Sequence, residues 1–193
     1  LANYIGVNYA AALSSGTAAL HLSLKALEVS QGDYVFCSDL TFVASANAIC
    51  YLGAIPVFID SEESSWNMCP ESLNLAFKEY LPKAVLVTDL YGQSANYISI
   101  QKICKKYNIP IIEDAAESLG AEYNQQKCGS FCEMGIISFN GNKIITNSGG
   151  GMLLSNNKSY IDEAKKLSTQ SREKAVHYEH NQIGYNYRMS NIL

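Results

Sequence analysis

The sequence predicts a three-layer α/β domain, with helices on both faces of a mainly parallel sheet. Three observations carry this reading. Short apolar runs such as Ala84–Thr88 and Ile109–Ile112 alternate with segments of helical spacing. These runs are too continuous for strands with one wet face. The chain has 193 residues, 48% hydrophobic and 17% charged, which suits one globular domain with a sizeable core.

Taken in order, Leu1–Ala12 is apolar but lacks the basic start and cleavage pattern of a signal peptide. Ser14-Ser15-Gly16-Thr17 is an N-cap signature ahead of an Ala- and Leu-rich helix over Ala18–Glu28. Leu20, Leu24 and Leu27 share one face of it. Gly32-Asp33 marks a turn, Tyr34–Cys37 a strand, and Thr41–Leu52 a second helix. Ile55–Ile59 is a β run closed by Asp60, and Pro70 opens a helix to Tyr80. Ala84–Thr88, Asn96–Tyr107 and Ile109–Ile112 continue as strand, helix and strand. After Asp114 the alternation changes. Gly135–Phe139 and Gly151–Ser155 read as short strands, followed by a polar helix near Lys158–Ser168. His177–Arg188 is aromatic and polar without a clear period. No repeat, low-complexity tract or linker divides the chain, so 1–193 is read as one domain.

The formal net charge of -4 and pI near 5.4 argue against a nucleic-acid partner, which calls for a basic patch. No run is long and apolar enough to span a membrane. Most of the six cysteines fall inside apolar segments, which favours reduced core thiols and a cytoplasmic location. The chain lacks an initiator Met, and a new apolar segment is starting at Met189–Leu193. It reads as a fragment or as one part of a larger protein.

Three constellations carry chemistry. Ser14–Ala18 leads into a helix N-terminus, where free N–H groups and the dipole favour an anion; Thr17 adds a hydroxyl. Without a ligand it is an ordinary N-cap. Pro110-Ile-Ile-Glu-Asp-Ala-Ala-Glu117 is a buried strand delivering carboxylates at its C-terminal end, where ligands gather in open α/β sheets. If a helical turn follows the strand, Asp114 and Glu117 face the same way. The alternative, a Walker-B acid, fails because no G-x-x-x-x-G-K-[ST] is present. The third constellation is Ser138 with Lys143, inside Gly135–Met152. Asn140-Gly141-Asn142 forms a turn before the lysine, Ile144-Ile145 follows it, and Gly149-Gly150-Gly151 permits positive φ or close backbone approach. Together the three meet the needs of pyridoxal phosphate. Its phosphate needs N–H and hydroxyl donors, its pyridinium a carboxylate, and its aldehyde a lysine amine not held protonated. Apolar burial of Lys143 is the expected source of that last condition.

SSGTAALHL, TFVASANA, IEDAAESLG, SFNGNKIIT with SGGG, and GYNYRMSNI together resemble the DegT/DnrJ/StrS family of sugar-nucleotide aminotransferases. The matches run in the family's order from about Ala11 to Leu193. The lysine loop and STQSREKAVHYEH most resemble the enzymes that make UDP-4-amino sugars on the bacillosamine pathway.

The resemblance implies the large domain of a fold-type I pyridoxal phosphate enzyme, with a mixed, mainly parallel seven-stranded sheet and the family's small C-terminal domain missing from this chain. It implies that Lys143 is the Schiff-base lysine and proton shuttle and that Asp114 pairs with the pyridine nitrogen. Gly16, Thr17 and Ala18, with Ser138, would hold the phosphate, and Phe42 would stack on the ring. Glu117 stands where many relatives carry His or Gln near the cofactor hydroxyl. Asn186 would reach the phosphate of a neighbouring subunit, so the active sites would be shared in a homodimer. Asn147-Ser148-Gly149-Gly150-Gly151 replaces the Thr-Gly-Glu-Gly-Gly of many relatives. The implied reaction moves an amino group from L-glutamate to the 4-keto group of a nucleotide-linked 6-deoxy sugar, a UDP-2-acetamido sugar by the nearer resemblance.

Two rivals stand beside this reading. A cofactor-dependent sugar dehydratase of the same fold carries histidine in place of the lysine, against which Lys143 argues. A regulator or binding protein with the same fold but no turnover is disfavoured by intact Lys143, Asp114 and Ser138. A metal site from His177, His180, Cys128 and Cys132 has poor zinc spacing. His21 is read as a satisfied structural residue and Trp66 as packing, and only Tyr185 and Tyr187 among the tyrosines lie near a suspected site.

Overall fold

A computed structural model describes all residues 1–193. A single turn, α1 (Ala2–Ile5), precedes β1 (Tyr9–Leu13) and α2 (Gly16–Ala26). Then come β2 (Tyr34–Ser38), α3 (Ala44–Cys50), β3 (Ile55–Ile59), α4 (Pro70–Ala76) and β4 (Ala84–Thr88). After a 3-10 turn at Leu90–Gly92, α5 (Tyr97–Tyr107) leads into β5 (Ile111–Asp114). A small hairpin, β6 (Glu122–Tyr123) and β7 (Gln126–Lys127), stands apart from the main sheet. β8 (Met134–Ser138), β9 (Gly151–Ser155) and α6 (Lys158–Ser168) complete the order.

The main sheet has seven strands in the order β1-β9-β8-β5-β4-β2-β3. Only β9 runs against the others, pairing antiparallel with both β1 and β8. The predicted mixed, mainly parallel sheet is therefore present.

Side chains alternate across the central strands as period 2 requires. Val35, Cys37, Ala84, Leu86 and Ile112 pack with α2, α3 and α6 on one face. Phe36, Val85, Val87 and Ile111 pack with α4 and α5 on the other. Both faces are covered, so β4, β5 and β8 are buried along their whole length. By the same alternation Asp114 lies on the Ile112 face, toward α2 and α3, and Glu113 on the Ile111 face. That single step in register decides which carboxylate meets the N-terminus of α2.

Several boundaries differ from the sequence expectation. β1 was not foreseen: Tyr-Ala-Ala-Ala-Leu carries none of the β-branched residues that mark strands, and its partner is β9, far away in sequence. The helix expected over Thr41–Leu52 begins at Ala44, because Thr41–Val43 forms the loop that enters the site. Strand β5 is shifted to Ile111–Asp114, and its pairing with β4 sets Asp114 opposite Thr88. Trp66 is 61% exposed, so it does not pack in the core.

Candidate active site

The C-terminal edge of the parallel strands gathers the polar residues. Thr88 ends β4, Asp114 ends β5, Ser138 ends β8, and Ser14 follows β1. Antiparallel β9 brings its first residue, Gly151, to the same edge. A cavity of about 240 Å³ opens there. A larger groove of about 670 Å³, lined by Cys104, Pro110 and Glu133, lies away from these strand ends and holds none of this set.

The candidate anion cradle is the start of α2. Ser15 is its N-cap, and Ser15 Oγ accepts the Ala18 N–H at 3.0 Å. Ser15 C=O takes the Ala19 N–H, the Gly16 N–H faces Gly150 across the Ser15–Gly150 bridge, and the Thr17 N–H has no protein partner. Gly16 and Thr17 line the cavity and Ala18 does not; the Ala18 N–H is used by the cap. A Cβ on Gly16 would come 3.0 Å from Ser138 Cβ, so glycine lets the Ser138 side chain close on the helix terminus.

Asp114 is 5% exposed and held at both oxygens. Ser45 Oγ donates to Oδ2 at 2.8 Å and the Ala116 N–H donates to Oδ1 at 3.2 Å. Burial pushes its carboxyl above the usual range, opposed by those two hydrogen bonds and by nearby Lys143. Asp114 makes no ion pair.

Lys143 follows a tight turn in which its N–H donates to Asn140 C=O at 3.0 Å. The Lys143 side chain is largely enclosed, 11% exposed, but not by its sequence neighbours. Ile144 and Ile145 are exposed, and Lys143 Nζ lies 3.3 Å from Glu117 Oε1 and 6.0 Å from the Phe42 ring centroid. Glu117 Oε2 accepts the Tyr91 N–H at 2.9 Å, and Tyr91 sits at φ 50°. Asp114 and Glu117 both line the cavity, but turns rather than a helix connect them. Phe42 forms part of the wall and is 68% exposed.

The glycine run divides its work. Gly149 and Gly150 line the cavity, and Gly150 has φ +95°. Gly151 instead packs on this chain's own cradle, since a Cβ there would lie 2.4 Å from the Ser15 carbonyl carbon.

Asn186 is exposed, does not line this cavity, and bridges Thr169 through its backbone. Tyr185 and Tyr187 pack against His21. His21 is not the satisfied residue expected, because its Nε2 is buried without a partner. Sequence reasoning passed over Thr41, Ser45 and Thr88, whose hydroxyls link to Asp114. No local signal marks them; only the fold brings them to the carboxylate.

Comparison with known proteins follows the same lines. The sequence pattern of the DegT/DnrJ/EryC1/StrS aminotransferase family matches residues 1–193. EpsN of Bacillus subtilis (strain 168) is 57% identical over 198 residues, spanning 100% of this chain and 51% of that protein. The GDP-perosamine synthase of Escherichia coli O157:H7 is 40% identical, covering 96% of this chain and 51% of its own length. The UDP-4-amino-4,6-dideoxy-N-acetyl-beta-L-altrosamine transaminase of Campylobacter jejuni (strain 81-176) is 38% identical over 100% of this chain and 52% of its own. The crystal structure of a DegT DnrJ EryC1 StrS aminotransferase from Brucella abortus superposes with a TM-score of 0.93 at 32% identity, covering 99% of this chain and 53% of that one. The chain thus spans about half the length of the relatives it matches. No helix is long and apolar enough to cross a membrane.

Proposed function

The chain belongs to the DegT/DnrJ/EryC1/StrS aminotransferase family, and from that membership we propose that it is the cofactor-binding large domain of a sugar-nucleotide aminotransferase. One observation carries the proposal: Lys143, buried Asp114 and the Gly16-Thr17 start of α2, with its free Thr17 N–H, converge on one cavity.

The family's cofactor is pyridoxal 5'-phosphate, and the residues present fit it. The unpartnered Thr17 N–H at a helix N-terminus, beside the Ser138 hydroxyl, suits a phosphate. A fully buried carboxylate with no ion pair suits a pyridinium N–H. When bound, the cofactor supplies an aldehyde that condenses with amines and a protonated ring that accepts an electron pair.

The chain's own residues do the rest. Gly16, Thr17 and Ser138 hold the phosphate. Asp114, fixed by Ser45 and Ala116, keeps the ring nitrogen protonated. Phe42 offers an apolar face to the ring. Lys143 Nζ moves the proton at the carbon that carries the amino group. Glu117 orients that amine through its 3.3 Å contact, while its other oxygen is tied to the Tyr91 backbone. Asn186, which lies outside this chain's cavity, would complete the phosphate site of the partner subunit in a homodimer.

We take L-glutamate as the amino donor and a nucleotide-linked 4-keto-6-deoxy sugar as the acceptor. The relatives' names carry both GDP and UDP. The lysine loop and the STQSREKAVHYEH stretch favour a UDP-2-acetamido sugar.

Treating the protein with pyridoxal phosphate and borohydride, then mapping the modified peptide, tests the core of this reading. Label on Lys143 is expected; label only on another lysine overturns it. Assaying amino transfer from glutamate to UDP- and GDP-linked 4-keto sugars tests the rest. Preference for the GDP sugar would discard the UDP assignment, and transfer to neither would discard the aminotransferase reading.

A further inference from the structure

We propose that His21 is a positioning residue that holds the Gly184–Arg188 segment against α2 and so presents Asn186 to the partner subunit's cavity. The inference rests on the shared-site reading above.

His21 lies within α2 and is 4% exposed. Three tyrosine rings stand edge-on around it: Tyr185 at 4.8 Å, Tyr51 at 5.6 Å and Tyr187 at 5.8 Å. Tyr185 and Tyr187 stack on each other at 5.0 Å and 16°. Two rings two residues apart on one side mean an extended chain with Asn186 and Arg188 on the other. Both of those residues are exposed, and neither takes part in an ion pair.

The backbone of the segment is pinned in register. The Tyr185 N–H donates to Leu167 C=O at 2.7 Å and the Tyr187 N–H to Ser168 C=O at 3.0 Å. Gly184 enters so tightly that a Cβ would come 2.1 Å from the Gln170 carbonyl carbon. These bonds set the height of the segment along α6. They leave its contact with α2 to the rings and to one polar link, His21 Nδ1 to Tyr187 Oη at 3.3 Å.

Packing alone does not account for a histidine here. Its Nε2 is buried with no partner, a cost that leucine would avoid. Burial, with Lys25 nearby, lowers its pKa to about 4, so the ring is neutral at physiological pH. A neutral imidazole gives the Tyr187 hydroxyl a fixed partner without placing a cation beside the aromatic cluster.

A route within the same chain must be separated from this one. Tyr187 C=O accepts the Ser14 N–H at 2.8 Å, and Ser14 leads into the anion cradle. A His21 change could therefore act on its own chain's site or on the partner's, and mixed dimers tell the two apart. In the intact protein, His21→Leu keeps the volume and loses the polar link, whereas His21→Gln retains a polar partner for Tyr187. We expect cofactor affinity of the His21→Leu homodimer to fall about tenfold, the scale of one buried hydrogen bond. Mixing with Lys143→Ala chains should raise activity well above either parent, because one site per hybrid then has an intact lysine and a correctly presented Asn186. Hydrogen exchange at the Tyr185 and Tyr187 amides should quicken while the Leu22–Ala26 amides hold, and His21→Gln should restore part of the protection.

Failure of rescue for His21→Leu, with Asn186→Ala rescued in the same mixing assay, would overturn the proposal while leaving the shared site intact. Rescue of neither would overturn the shared site and the proposal with it. Unchanged exchange at Tyr185 and Tyr187 would also overturn it. If His21→Leu does not fold, Tyr187→Phe, which removes the same polar link from the other side, is read by the same criteria.

Discussion

Ser45 Oγ donates a 2.8 Å hydrogen bond to Asp114 Oδ2, joining α3 to the end of β5. Ser45 also meets Thr41 Oγ1 at 3.1 Å, and Thr41 meets Thr88 Oγ1 at 2.8 Å. A chain of hydroxyls thus runs from the end of β4 through the loop after β2 to the carboxylate. The carboxylate is aimed before any ligand arrives, the support a binding group needs if it is to meet one atom in one direction.

Removing that hydroxyl should weaken the site without dismantling the fold. Burial already holds the Asp114 carboxyl above its ordinary range, and the Ser45 hydrogen bond is the first of the contacts that pull it back. Ser45→Ala should let it rise further and removes the bond that aims Oδ2, so that the carboxylate meets a pyridinium less well. A hydrogen bond to a charged group is worth about 1.5–3 kcal/mol, which corresponds to roughly a tenfold or greater loss of cofactor affinity. Titration of pyridoxal phosphate by absorbance checks this, and wild-type affinity in the variant would refute it.

A second carboxylate pair governs stability rather than binding. On the α4/α5 face, Asp89 accepts from the Ala95 N–H at 3.0 Å, Tyr97 Oη at 2.9 Å and Ser118 Oγ at 2.8 Å. Glu113 accepts from the Phe131 N–H at 2.9 Å and from the Gly129 N–H. The two carboxylates and Cys128 Sγ offer atoms within 4.8 Å of one another. Burial raises both carboxyls, and the charge of Asp89 raises Glu113 further. Burial likewise pushes the Cys128 thiol up to about 12, so it adds no charge at neutral pH.

The folded state therefore binds protons here more tightly than the unfolded chain. That contribution is largest below the ordinary carboxylate range and is lost as pH rises through the raised values. Glu113→Gln removes one of the titrating groups and keeps an acceptor for one of the two N–H donors. The variant should lose about 1–3 kcal/mol at acidic pH, where its lost hydrogen bond dominates. Its stability should then fall less steeply than wild type as pH rises above the ordinary carboxylate range. Urea unfolding over that rise in pH measures the slope, and parallel wild-type and variant curves would exclude the pair as its source.

The sequence makes some of this legible and hides the rest for physical reasons. Lys143, Asp114, Ser138 and Gly16-Thr17 can be read because each sits on a local signal: a turn, a strand end, or a helix start. Ser45 lies in an Ala-rich helical run and resembles core filler; its role exists only because α3 crosses the end of β5. Strand β1 is invisible because three alanines carry little β propensity, and its pairing with β9 is a non-local event. Ile144 and Ile145 mislead in the opposite direction, since apolar neighbours suggest burial and both side chains face outward.

Gly151 is the position where one methyl group should do most harm. β9 begins there, antiparallel to β8 at Ser138 and to β1 at Leu13, directly beneath the start of α2. A Cβ would lie 2.4 Å from the Ser15 carbonyl carbon and 2.5 Å from Gly16 N. These are backbone atoms of the anion cradle, held by the cap and by the Gly150 N–H to Ser14 C=O bond of 3.0 Å, so no flexible side chain can yield. Gly151→Ala must push α2 away from the sheet or bend β9, at a cost of about 1–3 kcal/mol or more. Because the displaced backbone leads directly into Thr17, whose N–H is free and lines the cavity, phosphate affinity should fall further than the loss of stability alone would require. Gly141→Ala is the matched control, since nothing lies within 4 Å of a Cβ there. Thermal melts and pyridoxal phosphate titrations of both variants separate the two effects. Equal cofactor affinity in Gly151→Ala and Gly141→Ala would show that the cradle does not depend on this close approach.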